Sequence, residues 1–219
     1  DLDKYPRTTA RDIELLTSVG CDILFLPPVD EVYPPGIDLN NPYDFGQLAS
    51  VMEGQFRPGH FDGMAQVVKR LLDIVLPNNL YMGQKDFQQL TIVRSMLKQM
   101  ETDINLRMCA IIREEDGLAM SSRNVRLKKD IRAQASTIFH TLKTAQKMAN
   151  SIPPDKIKEE ALEALSLPNF KPEYFEIVDG VTLLPIQRFE DTDFAVACVA
   201  VWAGDVRLID NMVLKQPIN

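Results

Sequence analysis

Asn79-Leu80-Tyr81-Met82-Gly83-Gln84-Lys85-Asp86-Phe87-Gln88-Gln89-Leu90 is the stretch on which the fold turns. Its first four residues have the apolar, aromatic make-up of a short strand. From Phe87 to about Met100 the residues Leu90, Ile92, Val93, Met96, Leu97 and Met100 fall on or near one face of a helix. Gly83 to Asp86 therefore joins a strand's carboxyl end to a helix's amino end, the place where open α/β sheets bind ligands.

The same alternation extends to both sides. Upstream, Met64, Val67, Val68, Leu71, Leu72 and Val75 recur at three- and four-residue spacing, and this stripe predicts a helix from Met64 to Leu76, stopped by Pro77. Farther back, Asp22 to Leu26 is a short apolar run closed by Pro27-Pro28, which predicts a buried strand preceded by a helix from Ala10 to Val19. Downstream, Leu106 to Ile112 predicts another strand. Strand and helix in turn point to an α/β protein with a parallel sheet.

After Asn124 the pattern changes. A helix is predicted from Lys129 to Ala149, then the breaker Ile152-Pro153-Pro154, then a helix from Asp155 to Leu165. Tyr174 to Val178, Asp193 to Trp202 and Val206 to Leu214 read as strands parted by turn signals at Gly180 and Gly204-Asp205. This is a smaller α+β unit, and the spacing places the domain boundary at the end of the last parallel strand, giving residues 1–111 and 112–219.

Composition excludes several classes. The chain of 219 residues is 45% hydrophobic and 25% charged, an ordinary globular make-up. Its longest apolar runs fall well short of the ~20 residues that span a bilayer, and no leader is visible, so a cytoplasmic protein without membrane association is expected. A net charge of −7 repels polyanions, so no nucleic acid partner is expected. Cys21, Cys109 and Cys198 each sit in an apolar run, as small hydrophobes do, and His60 and His140 stand far apart. No disulfide framework or protein metal site is expected.

Three segments could carry chemistry. In Gly83-Gln84-Lys85-Asp86, helix amides and the Lys85 ammonium would face an anion such as a phosphate. Equally, Asp86 with Gln89 three residues on resembles a helix capping box, which would serve stability alone. Gly117-Leu118-Ala119-Met120-Ser121-Ser122-Arg123-Asn124, just after Arg113, offers two hydroxyls and a guanidinium for phosphate oxygens, or an ordinary turn. Met52-Glu53-Gly54-Gln55-Phe56-Arg57-Pro58-Gly59-His60-Phe61 places Arg57 and His60 where a carboxylate could be met, or where a plain turn enters a helix. Neither serine lies in a nucleophile elbow, and His140 reads as a helix-surface or core residue.

In this order, these segments resemble the pantothenate synthetase family, a branch of the nucleotidyltransferase superfamily with a Rossmann-like domain. The resemblance runs through Asp3-Lys4-Tyr5-Pro6-Arg7, Met52-Glu53-Gly54 with Arg57 to Phe61, Gly83 to Leu90, Asp116 to Asn124, and Trp202-Ala203-Gly204-Asp205-Val206-Arg207-Leu208-Ile209-Asp210-Asn211. It implies an enzyme that joins pantoate to β-alanine through a pantoyl-adenylate, consuming ATP with Mg²⁺ and releasing pyrophosphate and AMP. It implies a homodimer. By residue match, Gly83, Gln84, Lys85, Asp86, Ile112, Met120, Ser121, Ser122 and Arg123 would contact ATP, Lys85 and Arg123 would stabilise transition-state charge, and Gln89, with His60, would bind substrate.

Two departures stand out. Gln84 occupies a place where the family usually has glutamate. The family's His-x-Gly-His and Asn-Pro-x-Gln-Phe motifs lie upstream of the block matching Asp3 to Arg7, and neither occurs in these residues. The resemblance thus implies a chain that begins partway through the Rossmann-like domain and is catalytically inactive as it stands. The rival readings are another nucleotidyltransferase-superfamily enzyme, acting on a phosphorylated acceptor, and a non-catalytic nucleotide-binding fragment.

Overall fold

In the computed structural model, strand β1 (Asn79–Gly83) and strand β2 (Asn105–Cys109) pair in parallel, from Asn79 opposite Asn105 to Gly83 opposite Cys109. The crossover is the helix predicted from its apolar stripe, running Phe87–Gln99. This strand, helix, parallel strand unit confirms the α/β reading. The structure describes residues 8–37 and 42–216, so the Asp3 to Arg7 block lies outside the described residues.

Residues 1–40 form one compact unit and residues 41–219 a second. The first contains helix α1 (Thr9–Ser18), one residue from its expected bounds, and the single turn α2 (Val29–Val32). The expected strand at Asp22–Leu26 does not form. Among the described residues no chain pairs with it, and an apolar run becomes a strand only where a neighbour supplies ladder partners.

In the second unit, α3 (Glu53–Phe56) is one turn, and α4 (His60–Val75) begins four residues earlier than its stripe suggests. Gly59, at φ +74°, supplies the left-handed step into α4, and Leu76 at φ +48° ends it before Pro77. Helix α5 is the Phe87–Gln99 crossover. Ile92, Val93 and Met96 of α5 are sealed against Met64, Ala65 and Leu72 of α4. Strand β2 stops at Cys109, short of Ile112, because its partner β1 stops at Gly83. The chain then turns back on itself, with Arg113 bridging to Ala119 and the Met120 N–H donating to the Ile112 carbonyl at 2.9 Å.

The helix expected at Lys129 to Ala149 is two helices, α6 (Lys129–Gln134) and α7 (Thr137–Met148). At Ala135-Ser136 the bonds tighten to three-residue steps, Ala135 N–H to Arg132 and Ile138 N–H to Ala135, which interrupts the ladder. Helix α8 (Pro154–Leu165) follows, then β3 (Phe170–Asp179), β4 (Ala195–Ala203) and β5 (Val206–Lys215), an antiparallel sheet in the order β3-β4-β5. Helices α6 to α8 cover one face of it around Ile138, Leu142, Leu165, Phe175 and Val199. Met52 and Phe87 pack with Val196 and Cys198 of β4, a third cluster that seats the Met52 loop and the start of α5 against the sheet.

Only Cys198 behaves as the buried hydrophobe expected of all three cysteines; Cys21 and Cys109 are exposed. Cys109 closes a two-stranded ladder, and the Cys21 thiol points to the Ile23 carbonyl in the unpaired segment.

Candidate active site

Lys85 is held by a short 3₁₀ turn, Gln84–Asp86, between β1 and α5. Gly83 before it faces open space, so a ligand can approach the backbone there. The capping alternative is not realised: the Asp86 side chain accepts no capping hydrogen bond, and its carboxylate lies 3.8 Å from the Lys85 ammonium. The Asp86 carboxylate therefore does not occupy the amides at the start of α5.

Lys85, Asp86 and Gln89 line an open pocket. Arg57, His60 and, from the antiparallel sheet, Tyr174 and Asp210 also line it. Burial, reinforced by the Arg57 charge, lowers the pKa of His60, so its imidazole stays neutral to a lower pH than a free one. Arg57 feels burial first and then the opposing fields of Glu53, Arg207, Arg123 and Asp86. Arg123 is thus within electrostatic reach of the pocket, although it does not line it.

The remaining expected residues lie elsewhere. Gln84 is not in the lining; it donates to Oδ1 of Asn211, a lining residue, at 3.0 Å. Ile112 and Met120 are exposed, and the Ile112 carbonyl is committed to the Met120 N–H. Ser121 Oγ accepts the Arg123 N–H at 3.2 Å, and Ser122 is exposed at the head of the following 3₁₀ turn. His140 is exposed on α7. The pocket therefore gathers His60, Lys85, Asp86 and Gln89, while the serine loop stands outside its lining.

Several residues of the site carried no assigned role in the sequence. Glu53 is buried and receives both Arg207 amino groups, at 2.7 and 2.8 Å, and the Tyr174 hydroxyl at 2.7 Å. Burial alone would raise the Glu53 pKa, but the hydrogen bonds and charge of Arg207, with Tyr174 and Arg57, outweigh it and hold the carboxyl below its usual range. Arg207 also binds Glu173, whose other oxygen accepts from the Trp202 indole. Arg113 forks onto Asp210 at 2.7 and 3.0 Å, stacks on Phe139 at 4.6 Å, and donates to the Gly117 carbonyl. A Cβ at Gly117 would meet the Phe139 ring at 2.1 Å, so the loop's approach to that ring requires glycine. The available signal was the pair Asp210-Asn211, two adjacent polar residues in a strand where alternation allows only one to face solvent.

The Pantoate-beta-alanine ligase family model matches residues 1–213. The chain belongs to the pantoate–β-alanine ligase family. The pantothenate synthetase of Phocaeicola vulgatus is 48% identical over 98% of this chain and 76% of its own length, and that of Porphyromonas gingivalis 46% identical over 97% and 75%. Among family structures, the pantothenate synthetase of Thermus thermophilus superposes with a TM-score of 0.92 at 38% identity, covering 98% of this chain and 78% of that one. The pantoate–β-alanine ligase of Francisella tularensis, complexed with β-γ ATP and β-alanine, gives 0.75 at 30% identity, covering 98% and 73%.

Proposed function

We propose that the protein condenses pantoate with β-alanine at the expense of ATP, passing through pantoyl-adenylate. The observation that carries this reading is the convergence of Lys85, Arg57 and His60 with the polar side chain of Gln89 on one pocket beside an uncapped helix start. In the first step a pantoate carboxylate oxygen attacks the α-phosphorus and pyrophosphate leaves. Negative charge grows on phosphate oxygens, and the Lys85 ammonium is placed to stabilise it. Arg123, on the loop outside the pocket, adds a second cation to the same charge.

Gln89 is assigned to pantoate, and Arg57 with neutral His60 to a substrate carboxylate. In the second step the neutral amine of β-alanine attacks the acyl carbon, the carbon–oxygen bond to AMP breaks, and the amine gives up a proton. Gly83, Ile112, Met120, Ser121 and Ser122 are assigned to the nucleotide by family match.

Among the described residues no group of three or more His, Cys, Asp or Glu side chains gathers to hold a metal. We assign Mg²⁺ as the ion that arrives on ATP, since this ion keeps its waters and binds phosphates with one or two carboxylates. Asp86 is the pocket carboxylate that would face it, and the ion would neutralise phosphate charge. No described helix is long and apolar enough to cross a membrane, and the assignment carries with it a cytoplasmic homodimer.

Exchange of labelled pyrophosphate into ATP tests the reading. Exchange by the full-length protein should require pantoate. Equal exchange without it, or with a phosphorylated acceptor in its place, would overturn the assignment.

A further inference from the structure

Asn211 lies in β5, 2% exposed, yet its side chain leaves the sheet to engage the lysine turn. Its Nδ2 donates to the Gln84 carbonyl and to the Lys85 carbonyl, both at 2.9 Å. Its Oδ1 accepts from Gln84 Nε2 at 3.0 Å. Both amide hydrogens are therefore committed, and Gln84 closes the clasp from the other side. A three-residue 3₁₀ turn has too few internal bonds to fix itself, so these contacts set where the Lys85 backbone sits.

The clasp is itself anchored. The Asn211 N–H donates to Asp210 Oδ1 at 2.8 Å, and Asp210, 4% exposed, takes both arms of Arg113. Arg113 in turn holds the Gly117 carbonyl at the root of the serine loop. The adjacent residues Asp210 and Asn211 thus fix the lysine turn and the loop root to one strand.

We propose that Asn211, clasped with Gln84, is a positioning residue for Lys85, and that residue 84 serves this clasp rather than the nucleotide. The proposal rests on the ligase reading for its kinetic consequence alone. Aspartate has nearly the shape of asparagine, but at this 2% exposed position beside Asp210 it also buries a second carboxylate. It has no donor for the two carbonyl oxygens either, so both would be left unpaired.

The test measures pantoate-dependent pyrophosphate exchange in Asn211→Ala, Asn211→Asp, Lys85→Ala and the Lys85→Ala/Asn211→Ala double variant, with hydrogen exchange at the amides of residues 84–87. Misplacement of a catalytic cation by about 1 Å can cost on the order of a hundredfold, so both single Asn211 variants should lose roughly tenfold or more. Pantoate KM should hardly change, and turn amides should exchange faster. In the Lys85→Ala background, loss of Asn211 should cost less than about twofold, since the two act as one unit.

A near-normal Asn211→Asp enzyme, or losses that multiply in full, would overturn the proposal. If the unaltered full-length protein shows no pantoate-dependent exchange, the ligase reading fails by itself. The clasp then stands on faster turn exchange in Asn211→Ala and falls if protection is unchanged. Should Asn211→Ala fail to fold, Gln84→Met removes the half-buried donor instead, and normal turnover with unchanged turn protection would overturn the clasp.

Discussion

Lys85 and Gln89 face the same pocket from one turn and the helix it opens, and their removal should act on different quantities. Lys85→Ala takes away an ammonium aimed at developing phosphate charge, which typically contributes on the order of 3 kcal/mol, roughly a hundredfold in rate. Turnover should fall by that factor, while circular dichroism and the thermal midpoint stay unchanged. Near-normal turnover would reduce the turn to a structural joint. Gln89→Ala should instead raise the pantoate KM and leave the thermal midpoint in place, as measured by initial rates over a range of pantoate concentrations.

Gln88, one residue earlier, does the opposite job for its element. Its Oε1 accepts the buried Glu53 N–H at 3.0 Å, and its Nε2 donates to the carbonyls of Leu48 and Val51 at 2.7 and 2.8 Å. This clips the loop before α3 to the start of α5. Gln88→Ala leaves three backbone groups without that partner, at about 1–3 kcal/mol for a buried unsatisfied group. Its denaturation midpoint should drop while Gln89→Ala holds.

Sequence could tell helix α5 from the strands around it, because apolar period separates the two, and it located the lysine turn for the same reason. The residue pattern alone could not tell Gln88 from Gln89, although the family resemblance singled out Gln89. Both are polar neighbours at a helix start, and which one faces the loop depends on a contact 35 residues away in the chain. The break at Ala135-Ser136 was equally hidden, since the stripe Ile131, Ala135, Ile138, Leu142 runs straight through it. Asp22–Leu26 has the composition of a strand, but composition says nothing of a ladder partner.

At the scale of the whole molecule, one ionic network joins segments distant in sequence: Glu53 of α3, Glu173 and Tyr174 of β3, and Arg207 of β5. The Glu53 and Arg207 side chains are 9% and 17% exposed, so water cannot replace the bonds they lose. Breaking a buried pair costs about 3–5 kcal/mol, because the surviving charge is left without its partner. Glu53→Gln should fall near the lower end, about 3 kcal/mol, since Arg207 keeps Glu173. The pH dependence follows from the sign of the shift. The folded-state pKa of Glu53 lies below its ordinary value of 4.5, with burial opposing and Arg207 favouring the charged form. Its stabilisation is therefore fully present above that ordinary value and is lost as the pH falls through the folded one. Urea denaturation of the two proteins should show a constant gap from pH 6 to 8 and a narrowing gap below about pH 4. A gap that stays constant down to acid unfolding would mean that Glu53 contributes through its shape and its Tyr174 hydrogen bond, with the ion pair contributing nothing.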